Sequence, residues 1–150
     1  MKRSATAIWK GGPRAGEGTV TTSSGVLNNV LYRVVTSAVE VPCTTPGEML
    51  VASEAACMSL TVANELAVAG ATAESVETEA ELTVAIDSRK NMDITGIHLK
   101  VTVNVPGLDA EAIKHAVSRA KNHCLIARAL KPKITCETHV ITGAEAVAAK

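Results

Sequence analysis

The chain has 150 residues, with 15 basic and 15 acidic side chains and a formal net charge of zero. That length fits one domain, residues 1–150, burying about 70% of the surface its unfolded chain exposes. The charge balance removes the electrostatic case for a nucleic-acid or anionic-membrane partner. Hydrophobic residues make up 47% of the chain, which argues against disorder. They are mostly alanine and valine, with one Trp, one Tyr and no Phe. Such small side chains bury little area each, so an oligomer is expected. No apolar run approaches the ~18 residues of a membrane span. Met1-Lys2-Arg3-Ser4 leads into Trp9-Lys10-Gly11-Gly12 and not into an apolar stretch, so the expectation is a cytoplasmic protein.

Residues 5 to 22 read as two strands broken at Gly11-Gly12-Pro13, and a third strand is expected from about Val30 to Val39. A loop with two prolines (40 to 46) precedes a helix from Pro46 to Ala69. Thr45 caps that helix, Glu48 completes a capping box, and Gly70 stops it. Between Met49 and Ala69 the only charges are Glu54 and Glu65. A helix so apolar is expected to be buried on most sides.

Alternating apolar residues from Val76 to Ile86 and from Ile97 to Val105 predict a hairpin joined by Asp87-Ser88-Arg89-Lys90-Asn91. Asp109 caps a second helix, with Ile113, Ala116, Val117 and Ala120 on its inner face. A break at Asn122-His123, a short helix near Cys124 and a last strand from Ile134 to Ile141 complete the chain, and the tail 142–150 is expected to fray. The order βββ-α-ββ-αα-β is that of an α+β fold.

Four cysteines (Cys43, Cys57, Cys124, Cys136) and four histidines (His98, His115, His123, His139) raise the question of zinc. No C-x-x-C pair is present, and adjacent His123 and Cys124 serve one tetrahedral ion poorly, so no metal is expected. The glycine-rich stretch from Gly11 to Gly18 joins two strands and lacks the helix N-terminus a phosphate loop needs. In a reducing cytosol, widely spaced cysteines are not a disulfide framework. Cys57, among Ala55, Ala56 and Met58, reads as core filler. Cys124 opens a helical segment near Lys121 and Arg128, where helix dipole and cations would lower a thiol pKa.

Several segments in register resemble the osmotically inducible protein C (OsmC) and organic hydroperoxide resistance family, closer to the OsmC branch. They are Trp9-Lys10-Gly11, Gly16-Glu17-Gly18-Thr19-Val20, Ser24-Gly25-Val26-Leu27-Asn28 and the helix opening Thr45-Pro46-Gly47-Glu48-Met49-Leu50. Ala55-Ala56-Cys57-Met58-Ser59, Val105-Pro106-Gly107-Leu108-Asp109 and Ala120-Lys121-Asn122-His123-Cys124 continue the match, which covers roughly residues 5 to 141. The resemblance implies an intertwined homodimer whose long central helices are wrapped by sheets. It also implies a cytoplasmic thiol peroxidase of organic hydroperoxides that needs no bound cofactor.

In that reading Cys57 attacks the peroxide and becomes a sulfenic acid, Cys124 condenses with it to a disulfide, and an external dithiol, for which the resemblance suggests a lipoyl group, reduces the product. Glu48 matches the family's carboxylate. The chain departs from the pattern where many members carry Thr-Arg at the end of the third strand, because it has Thr36-Ser37 there; Leu125-Ile126 replaces Pro-Val after the second cysteine. Arg14, in a glycine-flanked turn, is the expected substitute for the missing arginine, ahead of Arg33, which lies about 13 Å of strand from Ser37. The missing arginine leaves two alternatives open: a non-catalytic dimer binding a hydrophobic ligand, and a redox sensor without turnover.

Overall fold

The structure, a computed structural model, describes residues 1–13, 15–34 and 42–141. Its element order is βββ-α-ββ-αα-β, as the sequence predicts. Two compact units, Met1–Leu50 and Val51–Lys150, carry one three-stranded sheet each. Among the described residues, no helix is long and apolar enough to cross a membrane.

In the first unit β1 (Ala5–Lys10), β2 (Glu17–Thr22) and β3 (Val30–Tyr32) form an antiparallel meander. Gly18 of β2 pairs with Trp9 on one side and Tyr32 on the other. A Cβ at Gly18 would collide with the Tyr32 ring, so glycine lets the two aromatic rings meet, with centroids 5.6 Å apart. The third strand, expected to reach Val39, is formed over Val30–Tyr32, and residues 35–41, Ser37 among them, lie outside the described residues. Arg33 ends this unit's polar network, with Nη2 2.8 Å from Glu17 Oε2.

Helix α1 (Pro46–Val68) begins with the predicted capping box. Glu48 N–H donates to Thr45 Oγ1 at 3.1 Å, and Thr45 N–H donates back to Glu48 Oε2 at 3.0 Å. It ends at Gly70, whose φ of +81° is the left-handed conformation glycine adopts freely; Ala71 N–H then reaches Leu66 O at 3.0 Å. The expectation of burial on most sides fails within a single chain. Glu54, Met58, Val62, Glu65 and Leu66 form one buried stripe, while Leu60 and Val68 are 73% and 66% exposed. Among the described residues of the second unit, a single apolar layer packs against this helix, on the face that carries the buried stripe.

In the second unit β4 (Ser75–Ile86) and β5 (Met92–Asn104) form the predicted hairpin. Its turn is tied by Asp87 Oδ1, which accepts from the N–H groups of Arg89 and Asn91 at 2.8 Å each. Strand β6 (Lys133–Ile141) pairs with β5 in parallel, which demands a crossover connection; helices α2 (Ala110–His123) and α3 (Leu125–Ala129) supply it. Asp109 caps α2 by accepting from Ala112 N–H at 2.9 Å. Ile97, Leu99, Val101 and Val103 of β5 alternate into a core shared with Met58, Val62 and Leu66 of α1 and the inner face of α2. That core brings the middle of α1 against the junction of α2 and α3.

Candidate active site

Two cysteines meet at this junction. Cys57, half-buried in the middle of α1, stands close enough to the Cys124 thiol for each to shift the ionisation of the other. Cys124 is fully buried and stands between two helices. Its N–H closes α2 on Ala120 O at 2.8 Å, and its carbonyl opens α3 by accepting from Arg128 N–H at 3.1 Å. An extended ψ of 122° turns the chain between the two. Both thiols are free.

Their surroundings pull the two sulfurs in opposite directions. Burial works against ionising Cys57, but donors outweigh it: the Cys124 thiol, the backbone amides of Ile126 and Leu125, and the Thr61 hydroxyl. The Cys57 pKa therefore falls below its ordinary value. The Thr61 hydroxyl also bonds the Cys57 carbonyl at 2.7 Å, and one proton serves one acceptor at a time, so its help to the thiolate is the most conditional. Cys124 is pushed up to about 12, chiefly by burial; the Ala127 and Ile126 amides oppose this, and Cys57 and the Glu54 charge add to it. The expectation that Lys121, Arg128 and the helix start would ease ionisation of Cys124 is thus overturned. The Ala127 and Ile126 amides at the start of α3 do ease ionisation there, but burial outweighs them, whereas at Cys57 the Ile126 and Leu125 amides help to outweigh burial. The result is an ionisable Cys57 facing a protonated Cys124.

Two buried carboxylates complete the site, and sequence reasoning passed over both. Glu54 is wholly buried, and Cys124 Sγ donates weakly to its two oxygens at 3.7 and 3.9 Å. Burial raises its pKa above the ordinary carboxylate range, and the bond from Cys124 opposes this. Glu65 lies three helical turns further along the same stripe and is 5% exposed. His123 Nδ1 lies 2.7 Å from its Oε1, and Arg119 Nη2 lies 2.7 Å from its Oε2 in an ion pair without good hydrogen-bond angles. The His123 bond, against burial and with help from Arg119, holds this carboxyl below its usual range. It also anchors the residue immediately before Cys124. The signal for both was present: after Glu48 of the capping box they are the only charges in this helix.

Comparison with known proteins agrees with this arrangement of elements. The sequence pattern of the OsmC-like protein family matches residues 40–139. This chain belongs to the OsmC-like family. It is 37% identical over 132 residues to Escherichia coli "Peroxiredoxin OsmC", a match covering 87% of this chain and 91% of that protein, which places it on the OsmC branch. Its fold is similar to that of an OsmC-like protein from Mycoplasma pneumoniae, with a TM-score of 0.78 and 14% identity over 95% of this chain and 99% of that one. The organic hydroperoxide resistance protein OhrB of Bacillus subtilis is also similar, with a TM-score of 0.68 and 23% identity over 92% and 98% of the two chains.

Of the residues that the OsmC resemblance singles out, the structure brings Cys57 and Cys124 together. Glu48 is engaged in its capping box, where Oε2 also accepts from Thr44 Oγ1 at 2.9 Å. Arg14 lies outside the described residues. Its rival Arg33 is held by Glu17, whose hydrogen bond raises the guanidinium pKa further. Cys43 and Cys136 are both half-buried; Cys136 stands on β6, where burial pushes its thiol pKa up. Among the described residues, no three His, Cys, Asp or Glu side chains converge as a metal site would require.

Proposed function

We propose that this OsmC-like protein is a cysteine-based thiol peroxidase that reduces organic hydroperoxides to alcohols. The observation carrying this reading is the pairing of a half-buried cysteine of lowered pKa with a buried, protonated cysteine within its reach. The name of the Escherichia coli relative supports it. The Cys57 thiolate attacks the distal peroxide oxygen and the O–O bond breaks; the alkoxide takes a proton and leaves as the alcohol. Cys57 is then a sulfenic acid. The Cys124 sulfur attacks it, water leaves, and a disulfide remains. An external dithiol of lipoyl type restores both thiols by exchange, with no bound cofactor. Glu48 and Arg14 keep, as part of this proposal, the roles the family resemblance implies: a carboxylate holding a guanidinium over the peroxide. A reducing cytoplasm, where such dithiols are maintained, suits this cycle.

The same proposal includes a homodimer. Exposed Leu60 and Val68 on α1 form an apolar face that a second copy would cover. The test of function is steady-state consumption of cumene hydroperoxide with dihydrolipoamide. The native protein should turn over and Cys57→Ser should not. Turnover that survives Cys57→Ser, or an intact protein that consumes no peroxide, refutes the reading.

A further inference from the structure

We propose that Glu54 accepts the proton of Cys124 when the Cys57–Cys124 disulfide closes, an inference that rests on the peroxidase reading above. A fully buried carboxyl is costly unless hydrogen bonds compensate it. Three turns along α1, Glu65 is compensated by a hydrogen bond with His123 at one oxygen and the Arg119 charge beside the other. Glu54 has no such partners among the described residues; its hydrogen bonds are the two weak ones from Cys124 Sγ. A purely structural carboxyl gains little there, whereas a base for Cys124 has to be there.

The chemistry of the step explains the need. Cys124 must lose its proton as it attacks, and at about 12 its thiol is almost never ionised near neutrality. Glu54, raised above the usual carboxylate range by burial, is a better base than an exposed glutamate. It lies one turn before Cys57 on α1, so one helix face carries both the base and the sulfur that is attacked. As the Cys124 sulfur bonds to the Cys57 sulfur, its proton passes to the Glu54 carboxylate. The S–O bond of the sulfenic acid breaks, and the departing hydroxide takes that proton to leave as water. Glu54 ends as it began, and sulfenic acid plus thiol have become disulfide plus water. Among the described residues, the titratable group facing Glu54 is Cys124, with Cys57 along its own helix; the buried side chains that α2 and β5 add to this core are apolar.

The experiment uses the full chain, reduced, with one equivalent of cumene hydroperoxide and no dithiol. Cys57 sulfenic acid is trapped with dimedone and disulfide is counted by mass spectrometry over time. In Glu54→Gln the rate of disulfide closure, relative to sulfenic acid formation in the same sample, should fall at least tenfold. It should recover about tenfold per pH unit as Cys124 comes to ionise unaided, a dependence the native protein lacks. A merely electrostatic neighbour predicts the opposite, because removing its charge lowers the Cys124 pKa and speeds closure. Closure in Glu54→Gln as fast as or faster than native therefore overturns the proposal. Glu54→Asp, which retains a carboxylate, should close faster than Glu54→Gln, and equal rates in the two also overturn it. Native protein that forms no sulfenic acid removes the peroxidase reading itself; native sulfenic acid with unimpaired Glu54→Gln closure removes only the role of Glu54.

Discussion

Iodoacetamide applied to the reduced, folded protein at pH 7 should modify Cys57 and spare Cys124. With a pKa pushed up to about 12 against an ordinary 9.0, Cys124 is thiolate in only about one molecule in 10⁵. Cys57, below 9.0, is thiolate in more than about one in 10². The populations therefore differ by at least about 10³. Each Cys124 thiolate is the stronger nucleophile, and a Brønsted slope of about 0.5 returns a factor of ~30 over that interval. Cys57 should still react at least ~30-fold faster, before counting the complete burial of Cys124. Timed quenching, digestion and mass spectrometry read both rates in one sample. Raising the pH should saturate Cys57 first while Cys124 keeps accelerating. Between 9.0 and about 12 the unfolded chain ionises Cys124 and the folded chain does not, so stability falls as pH rises through that window. Alkylation of Cys124 within about threefold of Cys57 at pH 7, in protein that remains folded, would refute the opposed ionisation of the two thiols.

Peroxide treatment should link Cys57 to Cys124 and leave Cys43 and Cys136 reduced in peptide maps; Cys43 in the dominant disulfide would overturn the assignment. Leu60→Asp should leave the fold of one chain within about 0.5 kcal/mol of native, because the side chain is 73% exposed, yet dissociate the proposed dimer in sedimentation at micromolar concentration. A native protein that sediments as a monomer sinks that architecture. Arg14→Ala should slow the first oxidation of Cys57 at least tenfold, a barrier increase of about 1.4 kcal/mol, while Arg33→Ala, which loses only its Glu17 partner, leaves it unchanged. The reverse pattern transfers the role to Arg33, and no effect in either variant means that no arginine assists here.

Local physics made much of the fold readable. Thr45 with Glu48, Asp109 and Gly70 mark helix ends because they satisfy or release backbone groups within a few residues of themselves. The alternation along β4 and β5 identifies a sheet with one face on a core, since side chains in a strand change sides at every residue. The apolar helix α1 was also legible, but its degree of burial was not, because that depends on how many layers one chain can supply.

The sequence by itself determined the order of elements, the helix ends and, through resemblance, which two of four cysteines to propose for the site. Only the tertiary structure decided how those cysteines differ. Against its burial, Cys57 owes its lowered pKa to the Cys124 thiol and then to the amides of Ile126 and Leu125, and Cys124 meets Glu54 seventy positions away in the chain. No spacing rule encodes such encounters, because they arise where α1 packs on the α2–α3 junction. An ionisation depends on the donors, charges and burial around a sulfur, and those come into being when the core closes.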